Sequence, residues 1–364
     1  MAKAKAAVLV APRQIELEEF PIPETGAEDG LLRVEATGVC GSDVAPYHGE
    51  AMGDLFKLPL ILGHEIVGRV ERLGKRAAER WGLKEGDRII VEEHIPCGHC
   101  EHCYTGRHRM CIKMRYGSLS TTLAPSLWGG YADYVYLHPN AVIYKVADDV
   151  PAEQVPLFIP ISNGLYWVQK SGGARTGDTV VIQGPGQHGL GCVIGAKECG
   201  AHKIIVTGLS QDTERLKLAR ELGATHTIMA DQEDVVGRVK EITEGRMADV
   251  VLDVTPGATR PVEMALDLAR VGATIVLAGF KHFQPVTSFA SDKMFFKELT
   301  VKGVWGRDPR SVEVALRLIE SNKYPLHKLC THTFSVAGTE QALKTVAGEG
   351  DKNAVHVSIT PDHI

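Results

Sequence analysis

The sequence predicts a two-part α/β protein in which a doubly wound parallel sheet is inserted into a β-rich domain. A glycine turn, Gly184-Pro-Gly186-Gln-His188-Gly189, joins an apolar strand pattern to an apolar helix pattern. Strands then alternate with helices up to about residue 300, the rhythm of βαβ units. Before and after this stretch the chain shows short β-prone runs broken by proline and glycine. At 364 residues the chain exceeds the size at which one core stops growing, so two domains are expected: 1–157 with 301–364, and 158–300.

The first part opens with strand-like runs at Ala7 to Val10 and Leu31 to Ala36, interrupted by Pro21, Pro23, Gly26 and Gly30. Val39-Cys40-Gly-Ser42-Asp43 and Leu62-Gly63-His64-Glu65 place polar side chains between apolar neighbours, which suggests functional residues on short strands or turns. A buried histidine bonded to a carbonyl would explain His64 if it stood alone. Next, a strand at Ile89 to Val91 leads into the lobe 92–112, where Cys97, Cys100, Cys103 and Cys111 follow the spacing CxxCxxCx7C. Four thiolates so spaced match a closed tetrahedral zinc site. His94, His99, His102 and His108 are then expected to face solvent, because four sulfurs fill the tetrahedron. Trp128 to Tyr136 alternates like a further strand. The aromatics of that stretch are expected to be core or pocket wall, and Tyr47, Phe56, Trp128 and Phe280 point to an apolar, aromatic pocket.

In the second part the three glycines have separate tasks: a tight strand exit, close approach of a pyrophosphate, and close helix packing, with phosphates at the helix N-terminus. Gly184, Gly186, His188 and Gly189 are therefore candidate cofactor residues. An acid at the end of the second strand would bond the ribose 2′-hydroxyl of NAD. Here Val206-Thr-Gly208 ends without one; Ser210 and Arg215 suit a phosphate, while Asp212 could still reach the ribose, so the balance leans slightly to NADP. Thr255 and Gly279, at the ends of later strands, complete the expected cofactor crevice.

A net charge of −5 argues against nucleic acid or anionic membrane as partners. The run Ala6 to Val10 is too short for a signal segment, and no apolar stretch has the length of a membrane span, so a cytoplasmic protein acting on small molecules is expected.

Taken together, Cys40-Gly-Ser42-Asp43, Gly63-His64-Glu65-xx-Gly68-x5-Gly74, the cysteine lobe and the glycine turn resemble the zinc-dependent alcohol dehydrogenases of the medium-chain dehydrogenase/reductase family, over nearly the whole length. The resemblance implies a GroES-like catalytic domain with a Rossmann domain inserted in it, and hydride transfer between an alcohol, or its aldehyde or ketone, and NAD or NADP. It implies Cys40 and His64 as ligands of a catalytic zinc, Glu65 as a carboxylate that enters its coordination sphere, and Ser42 as the hydroxyl that takes the substrate proton. A homodimer or homotetramer is also implied. Two positions depart from the pattern. Ile159 stands where the family has a third ligand, and Ala45 where a relay histidine is common, with His48 nearby. Those departures keep two alternatives open: a zinc-independent enone or quinone reductase using NAD(P)H, and a non-catalytic nucleotide-binding relative.

Overall fold

The computed structural model describes residues 3–50, 55–111 and 114–362. Its contacts divide it into two compact units, the first running to Phe158 and adding Leu316–Asn322 and the residues from Cys330 on, the second Ile159–Ala315 with Lys323–Leu329.

In the first unit a seven-stranded sheet runs in the order Ile143–Lys145, Arg88–Val91, Glu65–Leu73, Gly30–Gly38, His356–Thr360, Cys330–Ser335, with Tyr134–Leu137 paired to Gly30–Gly38. A smaller sheet sets Lys3–Ala11 between Gln14–Pro21 and Leu60–Ile61. Strand Gln14–Pro21 is not apparent in the sequence because three of its eight residues are glutamates, which strands disfavour; its Leu17 is exposed. Apolar side chains from both sheets meet in a core that includes Val8, Leu9, Ile61, Leu62 and Ile359. The alternation at Trp128 to Tyr136 is strand only at Tyr134–Leu137. Its first half packs as a loop, with Gly130 N–H bonding Gly63 O (2.9 Å) and Tyr131 N–H bonding Leu62 O (3.1 Å). A Cβ at Gly129 would lie 2.0 Å from Ile61 O, so only glycine lets this loop lie against the chain that carries His64.

The second unit holds a six-stranded sheet in the order His226–Met229, Lys203–Gly208, Thr179–Gln183, Ala248–Asp253, Ala269–Leu277, Thr300–Gly303, with every neighbouring pair parallel. The order reverses on either side of Thr179–Gln183, the doubly wound pattern that leaves a ligand crevice beyond the strand ends. All residues of Thr179–Gln183 are buried, as a central parallel strand covered on both faces requires. The sixth strand, Thr300–Gly303, and the chain to Ala315 fall in this unit, beyond the boundary expected at residue 300. Among the described residues no helix is long and apolar enough to cross a membrane.

Candidate functional site

The glycine turn has the local geometry its sequence requires. Gly184 leaves the strand at φ +104°, a left-handed conformation that other residues rarely adopt. A Cβ at Gly189 would lie 1.9 Å from Gly184 O, so the helix sits directly on the turn. At Gly186, which caps helix Gln187–Glu198, a Cβ would meet nothing within 4 Å. That open side exposes the N-terminus of the helix, whose first N–H groups have no partner within the helix. Next to it, the His188 ring stacks on Trp167, 5.3 Å between centroids and 16° between planes.

Thr255 and Gly279 are in contact: a Cβ at Gly279 would lie 2.2 Å from Thr255 O. Sequence reading missed what braces them. Asp253 Oδ1 accepts the N–H (3.1 Å) and the hydroxyl (2.6 Å) of Thr255, and Lys281 Nζ lies 2.7 Å from Asp253 Oδ2. Asp253 ends an apolar strand with an acid, the one signal that could have marked it. At the second strand, Ser210 and Arg215 already hold carboxylates: Ser210 donates to Asp231, and Arg215 lies 3.1 Å from Asp212. Asp212 is turned inward, accepting the Leu209 N–H at 2.9 Å.

In the lobe, the sulfurs of Cys97, Cys100, Cys103 and Cys111 lie within 4.8 Å of one another. Cys97 N–H donates to Cys111 Sγ (3.3 Å), and Cys100 Sγ lies 3.6 Å from Cys103 Sγ. A backbone bond from His99, with further help from Cys100 and Cys111, lowers the Cys97 thiol to about 6, while burial raises Cys103 to about 11. An all-sulfur set of this size suits zinc, which would hold all four as thiolates. His99 faces solvent as expected, and His102 and His108 are half-buried. His94 does not face solvent; it is buried, with Nε2 3.6 Å from Glu93 Oε1, because strand His94–Ile95 turns it inward.

The second donor group joins Cys40, His64 and Glu65, whose ligating atoms also lie within 4.8 Å of one another. Cys40 follows strand Gly30–Gly38 and caps helix Gly41–His48, while Glu65 opens strand Glu65–Leu73 as the register partner of Gly38. A Cβ at Gly38 would fall 2.0 Å from Glu65 Oε2 and 2.9 Å from His356 Cε1, so the glycine makes room for the carboxylate. Asp43 organises the group: its Oδ1 lies 3.1 Å from His64 Nδ1, and its Oδ2 accepts the Tyr131 hydroxyl (2.8 Å) and the Cys40 N–H (3.1 Å). Burial acts to raise the Asp43 pKa, but the facing His64 and the bonds from His64 and Tyr131 outweigh it and hold the carboxyl below its ordinary value. Burial, then the facing charges of Glu65 and Asp43, push the Cys40 thiol far up. A thiolate there needs a cation, and sulfur, nitrogen and oxygen donors with a fourth position open are what a catalytic zinc takes. Ile159, buried on helix Phe158–Leu165, offers no donor, whereas Glu65 does.

Two further charges lie beside this group. Glu93 Oε2 is 3.6 Å from His64 Nε2 and accepts from Arg115 Nε (3.0 Å) and a terminal guanidinium nitrogen (2.6 Å), both residues being buried. The sequence signals were only an acid ending the strand Arg88–Val91 region and an arginine shortly after Cys111. Of the aromatics expected in the pocket wall, Tyr47 lies in the core, as does Trp128, for which core was the other expectation. His48 is tied to Glu349 at 3.1 Å.

Comparison with known proteins agrees with this geometry. Residues 26–148 match the family model described as alcohol dehydrogenase GroES-like domain, and residues 189–321 that described as zinc-binding dehydrogenase. A probable alcohol dehydrogenase of Mycobacterium tuberculosis is 38% identical, covering 99% of each chain. An erythritol/L-threitol dehydrogenase of Mycolicibacterium smegmatis is 35% identical, covering 99% of this chain and 98% of its own. The crystal structure of an alcohol dehydrogenase from Thermotoga maritima superposes with a TM-score of 0.90 at 30% identity, covering 100% of both chains. With a doubly wound dinucleotide fold, a GroES-like partner and two donor sets suited to zinc, the chain belongs to the zinc-dependent alcohol dehydrogenases of the medium-chain dehydrogenase/reductase family and is an oxidoreductase that moves a hydride between an alcohol, or its carbonyl partner, and NAD(P).

Proposed function

We propose that this enzyme oxidises polyhydroxylated alcohols, with a catalytic zinc held by Cys40, His64 and Glu65 and a structural zinc held by Cys97, Cys100, Cys103 and Cys111. The observation that carries the reading is the Cys40, His64 and Glu65 donor set, complete without Ile159. Zinc in that set supplies a Lewis acid that polarises the alcohol oxygen. Ser42, two residues from Cys40, would accept the alcohol proton while its own hydroxyl proton passes on in a relay toward the cofactor ribose. Asp43, with Oδ1 3.1 Å from His64 Nδ1, orients the imidazole so that Nε2 would be left for the metal. Gly184, Gly186, His188 and Gly189 cradle the cofactor pyrophosphate, with Thr255 and Gly279 lining the crevice and Ser210 and Arg215 near the adenosine end. The name of the Mycolicibacterium smegmatis relative supports a polyol substrate. A third donor in Glu65 answers the Ile159 departure, one of the two that motivate the metal-free reductase.

The chain is proposed to assemble as a homodimer or homotetramer through strand Thr300–Gly303, an edge of the parallel sheet, and the neighbouring Phe295 and Phe296, each 77 % exposed.

The test is a metal count joined to a substrate panel. Two zinc ions per chain are expected, one lost in Cys40→Ala together with turnover, and kcat/KM higher for four- to six-carbon polyols than for ethanol or butanol. A single zinc, with turnover indifferent to Cys40→Ala, would overturn the reading.

A further inference from the structure

The two strands that meet at the adenosine end of the cofactor site are joined in register, Gly208 opposite Met229, and Ala230 N–H donates to Gly208 O at 2.7 Å. Two residues beyond each partner stand Ser210 and Asp231. Both donors of Ser210 go to that acid, the N–H to Oδ1 at 2.8 Å and the hydroxyl to Oδ2 at 2.5 Å. The strand end itself has no room for an acid, since a Cβ at Gly208 would lie 2.9 Å from Pro185 Cγ of the glycine turn and 3.2 Å from Leu216 Cδ2. The nearby cations are also engaged, Arg215 by Asp212 and Arg238 by Glu233 and Glu241.

We propose that Asp231, on the third strand's exit rather than the second's, sets the cofactor preference and favours NAD over NADP. This rests on the reading of the glycine turn as the pyrophosphate cradle. A ribose 2′-hydroxyl can donate to a carboxylate, which has lone pairs to spare after accepting from Ser210. A 2′-phosphate at the same place meets an anion, and the two donors that could have held it are already taken. Ser210's bonds hold the Asp231 carboxyl below its ordinary value, which favours the ionised form. The carboxylate therefore reverses the lean toward NADP that Ser210 and Arg215 suggest when read from sequence alone.

The experiment titrates NADH and NADPH into the zinc-loaded enzyme, following nicotinamide fluorescence, in wild type, Asp231→Asn, Asp231→Ser and Ser210→Ala. Wild type is expected to bind NADH at least tenfold more tightly than NADPH. Either substitution of Asp231 should narrow that ratio about tenfold by tightening NADPH. Ser210→Ala, which keeps the carboxylate, should not tighten NADPH. Tighter binding of NADPH by wild type, or an unchanged ratio in both Asp231 variants that still bind NADH, overturns the proposal. Failure of wild type to bind either nucleotide is a different result: it refutes the cradle reading itself, and this proposal with it.

Discussion

Asp43 joins three groups of the candidate centre with one buried carboxylate: the imidazole of His64, the hydroxyl of Tyr131 and the amide of Cys40. Replacing it with asparagine keeps the shape, removes the negative charge that a zinc-bound imidazole favours, and permits the wrong tautomer of His64. For Asp43→Asn we expect zinc affinity at the Cys40 group to fall about 10- to 100-fold, read by metal content after dialysis against graded chelator, with the lobe zinc retained. Equal loss from both sites would show that Asp43 serves the fold and not the metal. The donors became legible through the family resemblance, because Cys40, His64 and Glu65 sit in the short motifs that carry it. The roles of Asp43, Glu93 and Arg115 were not legible, since a charged residue beside an apolar run reads the same whether it faces water or a metal.

At the scale of elements, the parallel sheet was legible because a strand buried on both faces needs an unbroken apolar centre, as Val180–Ile182 and Val250–Leu252 supply. The alternating stretch at Trp128 misled, because glycines allowed its first half to pack as loop. The two central strands are also tied at their starts by Asp249, which accepts Thr179 N–H (2.7 Å) and Arg270 Nε (2.6 Å). Its burial works to raise the carboxyl pKa, but the Thr179 bond and Arg270 prevail and lower it. A carboxyl whose folded value is depressed contributes stability fully above its unfolded value of about 3.9, and that contribution is lost as pH falls through the lower folded value. Thermal unfolding of wild type and Asp249→Asn should therefore differ by a constant amount near neutrality, equivalent to about 1–2 kcal/mol for a charged bond whose arginine is partly exposed, begin to approach each other below about pH 4, and meet only below the depressed folded value. A difference that persists in acid would mean that shape, and not charge, makes the tie.

For the whole molecule, one chain of 39.5 kDa leaves Thr300–Gly303 at a sheet edge beside two exposed phenylalanines. Light scattering should return a multiple of the chain mass, and Phe295→Glu combined with Phe296→Glu should shift it toward the single chain; a wild-type monomer would refute the assembly. Sequence alone determined the kind of protein, because its motifs are local: a glycine turn and a cysteine lobe each encode their chemistry within a few residues, and with the short motifs at Cys40 and His64, in order, they carry the family resemblance. Tertiary structure decided what those motifs meet. Glu65 joins Cys40 and His64 because Gly38 leaves room for it across the sheet. Asp231 reaches Ser210, 21 residues away in the chain, because parallel pairing sets two strand ends side by side. Contacts between residues so far apart depend on register and packing, which composition and spacing do not record.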